Sequence, residues 1–356
     1  MSVNDIILQL KATSSRNEKE AILEENKENA RLKQVFELVL NPFCNFYITK
    51  VPSIPRDYDM SLINQELEVT EELIIGFLYQ EAFGSINRKE FKEGVMILNH
   101  LCQDADVKDL LRKIIAKDLD CGVGASTVNK VWEGLIPKYQ LMKAEEKKHI
   151  DKITYPALVD IKLDGVRCTA FVTPEGEVEI KSSSGKTFLS LPHIEEEISQ
   201  FYDKIKDSHY DGCVVDGELI AVDPNGKFIG REKSNGIAYK ALLGTASEEE
   251  QKSLRMVCFD LLSSARQIEQ GFDSRKLIDR LSQFIKLEGF NYISEVDSIL
   301  AENEEEVLAF FEQAVKSGEE GVVVKSSDSF YETKRSQSWV KLKKSYQADV
   351  GIVDAY

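Results

Sequence analysis

The chain has 356 residues, of which 42% are hydrophobic and 30% charged, and a net charge of −16; this is the balance of a soluble globular protein, long enough for two domains rather than one core. No run approaches the roughly 18 consecutive apolar residues of a membrane span, and the N-terminus lacks the basic, apolar and small-residue segments of a secretory signal. The six cysteines are scattered without a CxxC pair and the four histidines have no metal-ligand or triad spacing. A disulfide framework, a structural zinc and histidine-based catalysis are therefore excluded, reduced thiols in a cytoplasm are expected, and any chemistry rests on Lys, Arg, Asp and Glu.

In chain order, the first part reads as successive helices. Ile6, Ile7 and Leu10 share one face, and Ser15-Arg16-Asn17-Glu18 has the form of a capping box opening a helix through Leu23. Leu32, Val35, Phe36, Leu38 and Val39 continue the period to a stop at Asn41-Pro42, and further helices are predicted over Glu71 to Phe83, Lys89 to Leu101 and Val107 to Asp120. The turn Cys121-Gly122-Val123-Gly124 precedes a helix start at Ser126. It is either a phosphate-facing Gly-rich turn or a plain helical hairpin with a glycine cap.

After Pro156 the pattern changes to short strands: Ala157 to Ile161, Thr169 to Val172, Val178 to Ile180, Cys213 to Val222 and Met256 to Leu261. Helices are predicted over His193 to Lys206 and Glu304 to Ser317. The expectation is an α+β domain with a mixed or antiparallel sheet, joined to the helical part across the charged run Lys143 to Lys148.

Net charge alone argues against a nucleic-acid partner, but a clamp needs only a basic inner face. Two local runs offer one: four basic residues over Lys108 to Lys117 and five over Lys334 to Lys344. Each is otherwise a solvated face.

The chemistry-bearing run is Lys162-Leu163-Asp164-Gly165-Val166-Arg167, directly after a strand. A nucleophilic lysine must lose its proton, and Arg167 supplies a fixed positive charge of the kind that can depress a lysine pKa and bind a phosphate. Gly165 permits a sharp turn. Taken alone, the run also reads as an Asp-Gly turn with surface charges.

This run resembles motif I of the covalent nucleotidyltransferases, which comprise DNA ligases, RNA ligases and capping enzymes. Asp216-Gly217-Glu218-Leu219 resembles motif III, Cys258-Phe259-Asp260 motif IIIa, Glu320-Gly321-Val322-Val323-Val324-Lys325 motif IV, and Trp339-Val340-Lys341-Leu342-Lys343 motif V. Their order and spacing carry the resemblance. Outside these motifs, Arg112 to Pro137 and Ser234 to Ala238, with Lys240 and Gly244-Thr245, resemble the ATP-dependent DNA ligases of T-even phages.

The resemblance implies an all-α DNA-binding domain over 1–138, an α+β, ATP-grasp-like nucleotidyltransferase domain over 139–345, and a stub over 346–356. In the stub, Gln347 to Val353 resembles the first strand, and only that strand, of a C-terminal OB-fold. It further implies ATP and Mg²⁺ as cofactors, nicked double-stranded DNA as partner, a monomer without membrane contact, a separately encoded OB-fold domain as a further partner, and the host cytoplasm as location if the source is viral. The implied reaction is nick sealing in replication, repair and recombination: Lys162 takes AMP from ATP, passes it to a 5′-phosphate, and a 3′-hydroxyl displaces it. The alternatives are a truncated nick-binding protein with little turnover, or an RNA ligase. NAD as the AMP donor is disfavoured, since the cysteine pairs and extra nucleotide domain of that class are missing from the pattern.

By the same resemblance Lys341 and Lys343 hold the α-phosphate, and Phe259 stacks on adenine. Glu218 and Glu320 hold Mg²⁺, or Glu218 touches the ribose instead. Asp160, with Ile161 beside it, stands where the adenine edge is read, unless it is a solvated strand-end acid. Ser183 occupies the place of the family's nucleotide-binding arginine, with Lys181 and Lys186 near it.

Overall fold

The computed structural model describes residues 1–44, 46, 48, 50–59, 61, 63, 66–83, 88–206, 210–264 and 266–344. The chain divides into two compact units, Met1–Lys138 and Tyr139–Tyr356. The predicted OB-fold strand and the whole segment 346–356 lie outside the described residues.

In the first unit the described residues form helices and no strand: α1 (Val3–Ala12), α2 (Arg16–Glu25), α3 (Ala30–Leu40), α4 (Glu71–Phe83), α5 (Arg88–Leu101), α6 (Ala105–Ile115) and α7 (Ala125–Val131). Their apolar stripes, with Ile6, Leu10, Phe36, Ile74, Leu110 and Ile114 fully buried, make one core. The capping box expected at Ser15 is half formed. Ser15 Oγ accepts from Glu18 N, but the Glu18 carboxylate takes the Thr13 hydroxyl instead of returning to the cap. A full box stands at Ser2, with Asp5.

The sixth helix stops at Ile115, short of the expected Asp120. The stop comes where Lys117 turns left-handed (φ 53°) and sends its ammonium to the carbonyls of Asn41, at 2.7 Å, and Cys44 at the end of α3. Lys113 of the same basic run pairs with Asp109. In the turn 121–124 Lys19 Nζ donates to Cys121 O at 2.7 Å, Gly122 is left-handed, and the N-cap of α7 is Gly124, not a residue at Ser126, while α6 ends on Ala116 instead of a glycine cap.

Among its described residues the second unit holds two five-stranded sheets where one was expected. The strands are β1 (Lys143–Glu146), β2 (Ala157–Ile161), β3 (Val166–Val172), β4 (Val178–Ser182), β5 (Cys213–Ala221), β6 (Leu254–Leu262), β7 (Phe272–Asp273), β8 (Ile293–Glu295), β9 (Ser298–Ala301), β10 (Gly321–Ser326), β11 (Tyr331–Glu332) and β12 (Arg335–Lys343). One sheet has the order β1-β12-β10-β2-β9 and the other β4-β3-β5-β6-β8, while β7 and β11 pair separately. Pairing is antiparallel except for β1 with β12 and β6 with β8. The charged run expected to join the domains is thus partly strand: β1 forms a short, charged edge, the kind that resists pairing with another chain.

Each sheet buries one face under its own helices, and this separates them. Ala157, Val159, Val322, Val324, Val340 and Leu342 pack with Val307 and Ala314 of α10 (Glu304–Lys316). Cys168, Ala170, Val215, Met256 and Cys258 pack under α8 (Pro192–Ile205) and α9 (Arg231–Leu242). Strand alternation then turns Asp160, Lys325 and Trp339 of one sheet, and Arg167, Asp216 and Glu218 of the other, away from these cores.

Candidate active site

Those outward faces border a cavity of about 140 Å³. Of the residues singled out from sequence, Asp160, Ile161, Lys162, Arg167, Glu218 and Phe259 line it. Lys341, Lys343 and Glu320 do not line it, although the last two reach it through Lys162. A larger cavity of about 690 Å³ in the helical unit contains none of the motif residues. Two of the four carboxylates at its wall are already used: Glu71 accepts from Val3 N and Asp104 caps α6.

Lys162 follows the last residue of β2. Its backbone N–H donates to Gly321 O at 2.9 Å, which places it beside the start of β10. Its ammonium is hydrogen-bonded to Glu320 Oε2, and Leu163 O accepts from it at 3.3 Å. The other Glu320 oxygen pairs with Lys343 at 2.5 Å. Burial would raise the Glu320 carboxyl, but the two ammonium groups hold it below the usual carboxylate value.

Two glycines make this geometry possible. A Cβ on Gly321, at φ 151°, would lie 2.0 Å from Leu342 O, and one on Gly165 would lie 2.4 Å from Leu219 O. Gly165 is therefore required by the close approach of β5, beyond the sharp turn expected of it.

Arg167 lies opposite Glu218 in the β3–β5 register. Its guanidinium is already matched: Nε and Nη2 bond Asp216 at 3.0 and 2.6 Å, and Nη1 bonds Met142 O at 2.6 Å. Burial opposes its charge, and Asp216 more than compensates and raises the pKa. The charge expected to depress the Lys162 pKa is thus neutralised within the wall. Asp216 itself is fully buried and takes a third hydrogen bond from Tyr331 Oη at 3.0 Å. The run Asp216-Gly217-Glu218 sits in mid-strand, not in a hairpin turn.

Glu218 is half-buried, and desolvation pushes its carboxyl up to about 7, against the pull of Arg167 and Lys162. Phe259 is displaced by a β-bulge. Asp216 pairs with Asp260 and Gly217 with Cys258, so Phe259 is the extra residue of β6. The bulge reverses the strand's phase: Met256 and Cys258 face the core before it and Leu261 after it, which leaves Phe259 and Asp260 together on the cavity side. Arg280, fully buried, pins Asp260 with hydrogen bonds of 2.7 and 2.9 Å.

Asp160 is only 2% exposed, which rules out the solvated strand-end acid. Lys325 Nζ lies 2.5 Å from its Oδ2 as an ion pair, off the hydrogen-bonding direction, so neither Asp160 oxygen has a hydrogen-bond donor among the described residues. Burial raises its carboxyl and Lys325 opposes the rise.

Ser183 is exposed in the turn after β4 and does not line the cavity. Lys181 beside it is buried, 3.5 Å from Glu179 and over the Phe171 ring, and Lys186 is exposed. Lys341 pairs with Glu146 of β1 at 2.8 Å. Among the described residues no group of three or more His, Cys, Asp or Glu side chains is placed to hold a metal ion. Glu218 lines the cavity and Glu320 adjoins it through Lys162, two carboxylates of the oxygen-ligand kind that Mg²⁺ takes together with water and phosphates.

Sequence reasoning quoted Asp216, Lys325 and Trp339 within motifs but gave them no role, and it passed over Tyr331. Period-two alternation along β10 and β12 is the signal that places Lys325 and Trp339 on the cavity side.

A strand-end lysine thus meets an aromatic-walled cavity bordered by two sheets, the arrangement expected of the nucleotidyltransferase class. Residues 140–343 match the ATP dependent DNA ligase domain, and the chain belongs to that family. The DNA ligase of Enterobacteria phage T4 is 27% identical over 390 aligned positions, which span 99% of this chain and 77% of the phage protein. That of phage T6 is 28% identical over the same shares. DNA ligase 2 of Korarchaeum cryptofilum is 29% identical, over 58% of this chain and 34% of that protein. A solved structure of the bacteriophage T7 ligase in complex with ATP covers 58% of this chain and 69% of its own at 19% identity, with a TM-score of 0.47, too slight a likeness to add to the assignment. The chain is thus an ATP-dependent DNA ligase with ATP and Mg²⁺ as cofactors; the nick-binding and RNA-ligase alternatives are not favoured. No helix among the described residues is long and apolar enough to cross a membrane.

Proposed function

We propose that Lys162 is the nucleophile of this ligase and seals nicks in double-stranded DNA through a lysyl-AMP intermediate. The observation that carries the reading is the Lys162 ammonium at the cavity wall, held by Glu320, with Phe259 and Glu218 around the same space. In the first step Lys162 Nζ loses a proton and bonds the α-phosphorus of ATP as the bond to pyrophosphate breaks. The 5′-phosphate oxygen of a nick then displaces the lysine and takes AMP. The 3′-hydroxyl attacks that phosphate, AMP leaves, and the strand is joined.

Phosphoryl transfer of this kind depends on positioning and charge neutralisation. Glu320 fixes the Lys162 amine and is the nearest base for its proton. Lys343 shares Glu320, and Lys341 stands on the same face of β12, so both can turn to the α-phosphate. Glu218 and Glu320 would hold Mg²⁺, which when bound neutralises phosphate charge; a cation favours the ionised form that burial disfavours at Glu218. Phe259 would stack on adenine, with Asp160 and Ile161 at its edge and Arg167 fixing the wall between. Ser183, exposed away from the cavity, has no part in nucleotide binding in this reading. The helical unit, residues 1–138, would bind the duplex and residues 139–345 would carry adenylation.

The test is covalent labelling with α-labelled ATP on a denaturing gel. The wild type should acquire label, and Lys162→Ala and Lys162→Arg should not, while both keep the wild-type circular dichroism. Label retained in either variant would sink the assignment.

A further inference from the structure

Trp339 is 3% exposed and lines the cavity, and its Nε1–H is buried with no hydrogen-bond partner among the described residues. Buried indole N–H groups ordinarily find an acceptor. The other tryptophan of the chain shows this: Trp132 Nε1 donates to Lys27 O at 3.0 Å. Trp339 is also firmly held. Its ring stands edge-on to Phe259 (6.3 Å, 78°) and to Tyr331 (6.4 Å, 87°), and Lys325 Nζ lies 4.4 Å from its centroid. An orphan donor in so fixed a ring points to an acceptor supplied by a ligand.

The wall beside it has the opposite deficiency. Lys325, paired with Trp339 in the β10–β12 register, ion-pairs with Asp160, and both Asp160 oxygens are acceptors without a hydrogen-bond donor. An unpartnered indole N–H on β12 and a buried carboxylate on β2, ion-paired to Lys325 of the β10 strand between them, match the edge of adenine, whose 6-amino group donates and whose flanking ring nitrogens, N1 and N7, accept.

We propose that Trp339 is a base-reading residue of this ligase: its Nε1–H donates to the adenine ring nitrogen, N1 or N7, beside the 6-amino group that Asp160 accepts. A 6-keto purine in the same place sets an acceptor against the Asp160 carboxylate. The proposal rests on the reading above that the cavity receives the adenosine moiety of the nucleotide joined to Lys162.

The experiment is Lys162 adenylation by wild type and Trp339→Phe, measured against the concentration of ATP, 1-deaza-ATP, 7-deaza-ATP and, as control, 3-deaza-ATP. Phenylalanine keeps an aromatic ring and removes the donor. With ATP the variant should need roughly tenfold more nucleotide for half-maximal labelling, the loss of about one hydrogen bond. That penalty should vanish with either 1-deaza-ATP or 7-deaza-ATP and persist with 3-deaza-ATP. An equal penalty on all four nucleotides, or none on ATP, overturns the proposal. If the variant does not fold, the wild type alone decides: equal use of ATP, 1-deaza-ATP and 7-deaza-ATP overturns it too. Failure of the underlying reading is distinct, because it shows as label surviving in Lys162→Ala.

Discussion

Asp216 grips Arg167 along one edge of the guanidinium, Oδ1 to Nε at 3.0 Å and Oδ2 to Nη2 at 2.6 Å, with Asp216 wholly buried. The pair ties β5 to β3 across the register that also sets Arg167 opposite Glu218. Removing one partner leaves a buried charge uncompensated, which costs about 3–5 kcal/mol. Asp216→Ala should therefore destabilise the protein by that amount in equilibrium urea unfolding. A loss below about 1 kcal/mol would show that the pair contributes little.

Glu218 gives a pH signature. Its folded-state carboxyl is raised from 4.5 to about 7, so the folded state binds the proton more tightly than the unfolded state. Below pH 4.5 both states are protonated and Glu218 costs nothing. As pH rises from 4.5 through 7, the unfolded state ionises first and stability is lost. Glu218→Gln removes this loss. Without nucleotide or metal, the variant should match the wild type near pH 4.5 and have the higher Tm above pH 7; a Tm difference independent of pH would contradict the cause assigned here.

Glu320 holds Lys162 and Lys343 on its two oxygens. Without it the Lys162 amine keeps only its 3.3 Å contact with Leu163 O and loses the adjacent carboxylate, and misplacement on the scale of 1 Å costs about a hundredfold. Glu320→Ala should slow lysyl-AMP formation by that order while the protein still folds. Single-turnover labelling at saturating ATP measures it, and an undiminished rate would remove Glu320 from the first step.

Phe259 owes its place to the bulge in β6. Stacking of a base on an aromatic ring contributes about 1–3 kcal/mol. Phe259→Leu should thus raise the ATP concentration for half-maximal adenylation roughly tenfold or more. The bulge lies in the backbone and survives the substitution, so a variant with wild-type ATP dependence would show that the ring does not meet the base.

Lys117 belongs to a basic run that suggested a DNA-facing surface, yet it donates to the carbonyls of Asn41 and Cys44. Lys117→Met should destabilise the helical unit by about 1–3 kcal/mol, the cost of orphaned acceptors. The salt dependence of DNA binding should keep its slope, since a lysine spent in this way neutralises no phosphate. A slope reduced by about one would place Lys117 on the duplex instead.

Much of this was legible in the linear sequence. Periodicity placed α4 at Glu71–Phe83 and β2 at Ala157–Ile161, because a buried stripe repeats with the geometry of the backbone itself. The lysine after a strand, Gly165 at a sharp turn and the order of the motifs pointed to the chemistry, since these are residue types that local conditions require. Tertiary structure decided which charges face which. Arg167 is neutralised by Asp216, 49 residues away. Ser183 turns outward, the two-sheet division follows from two separate helix layers, and the bulge at Phe259 depends on β5 as its partner. Ion pairing, register and the orphaned donor of Trp339 are relations between strands distant in sequence, and no local pattern encodes a relation whose other half lies elsewhere in the chain.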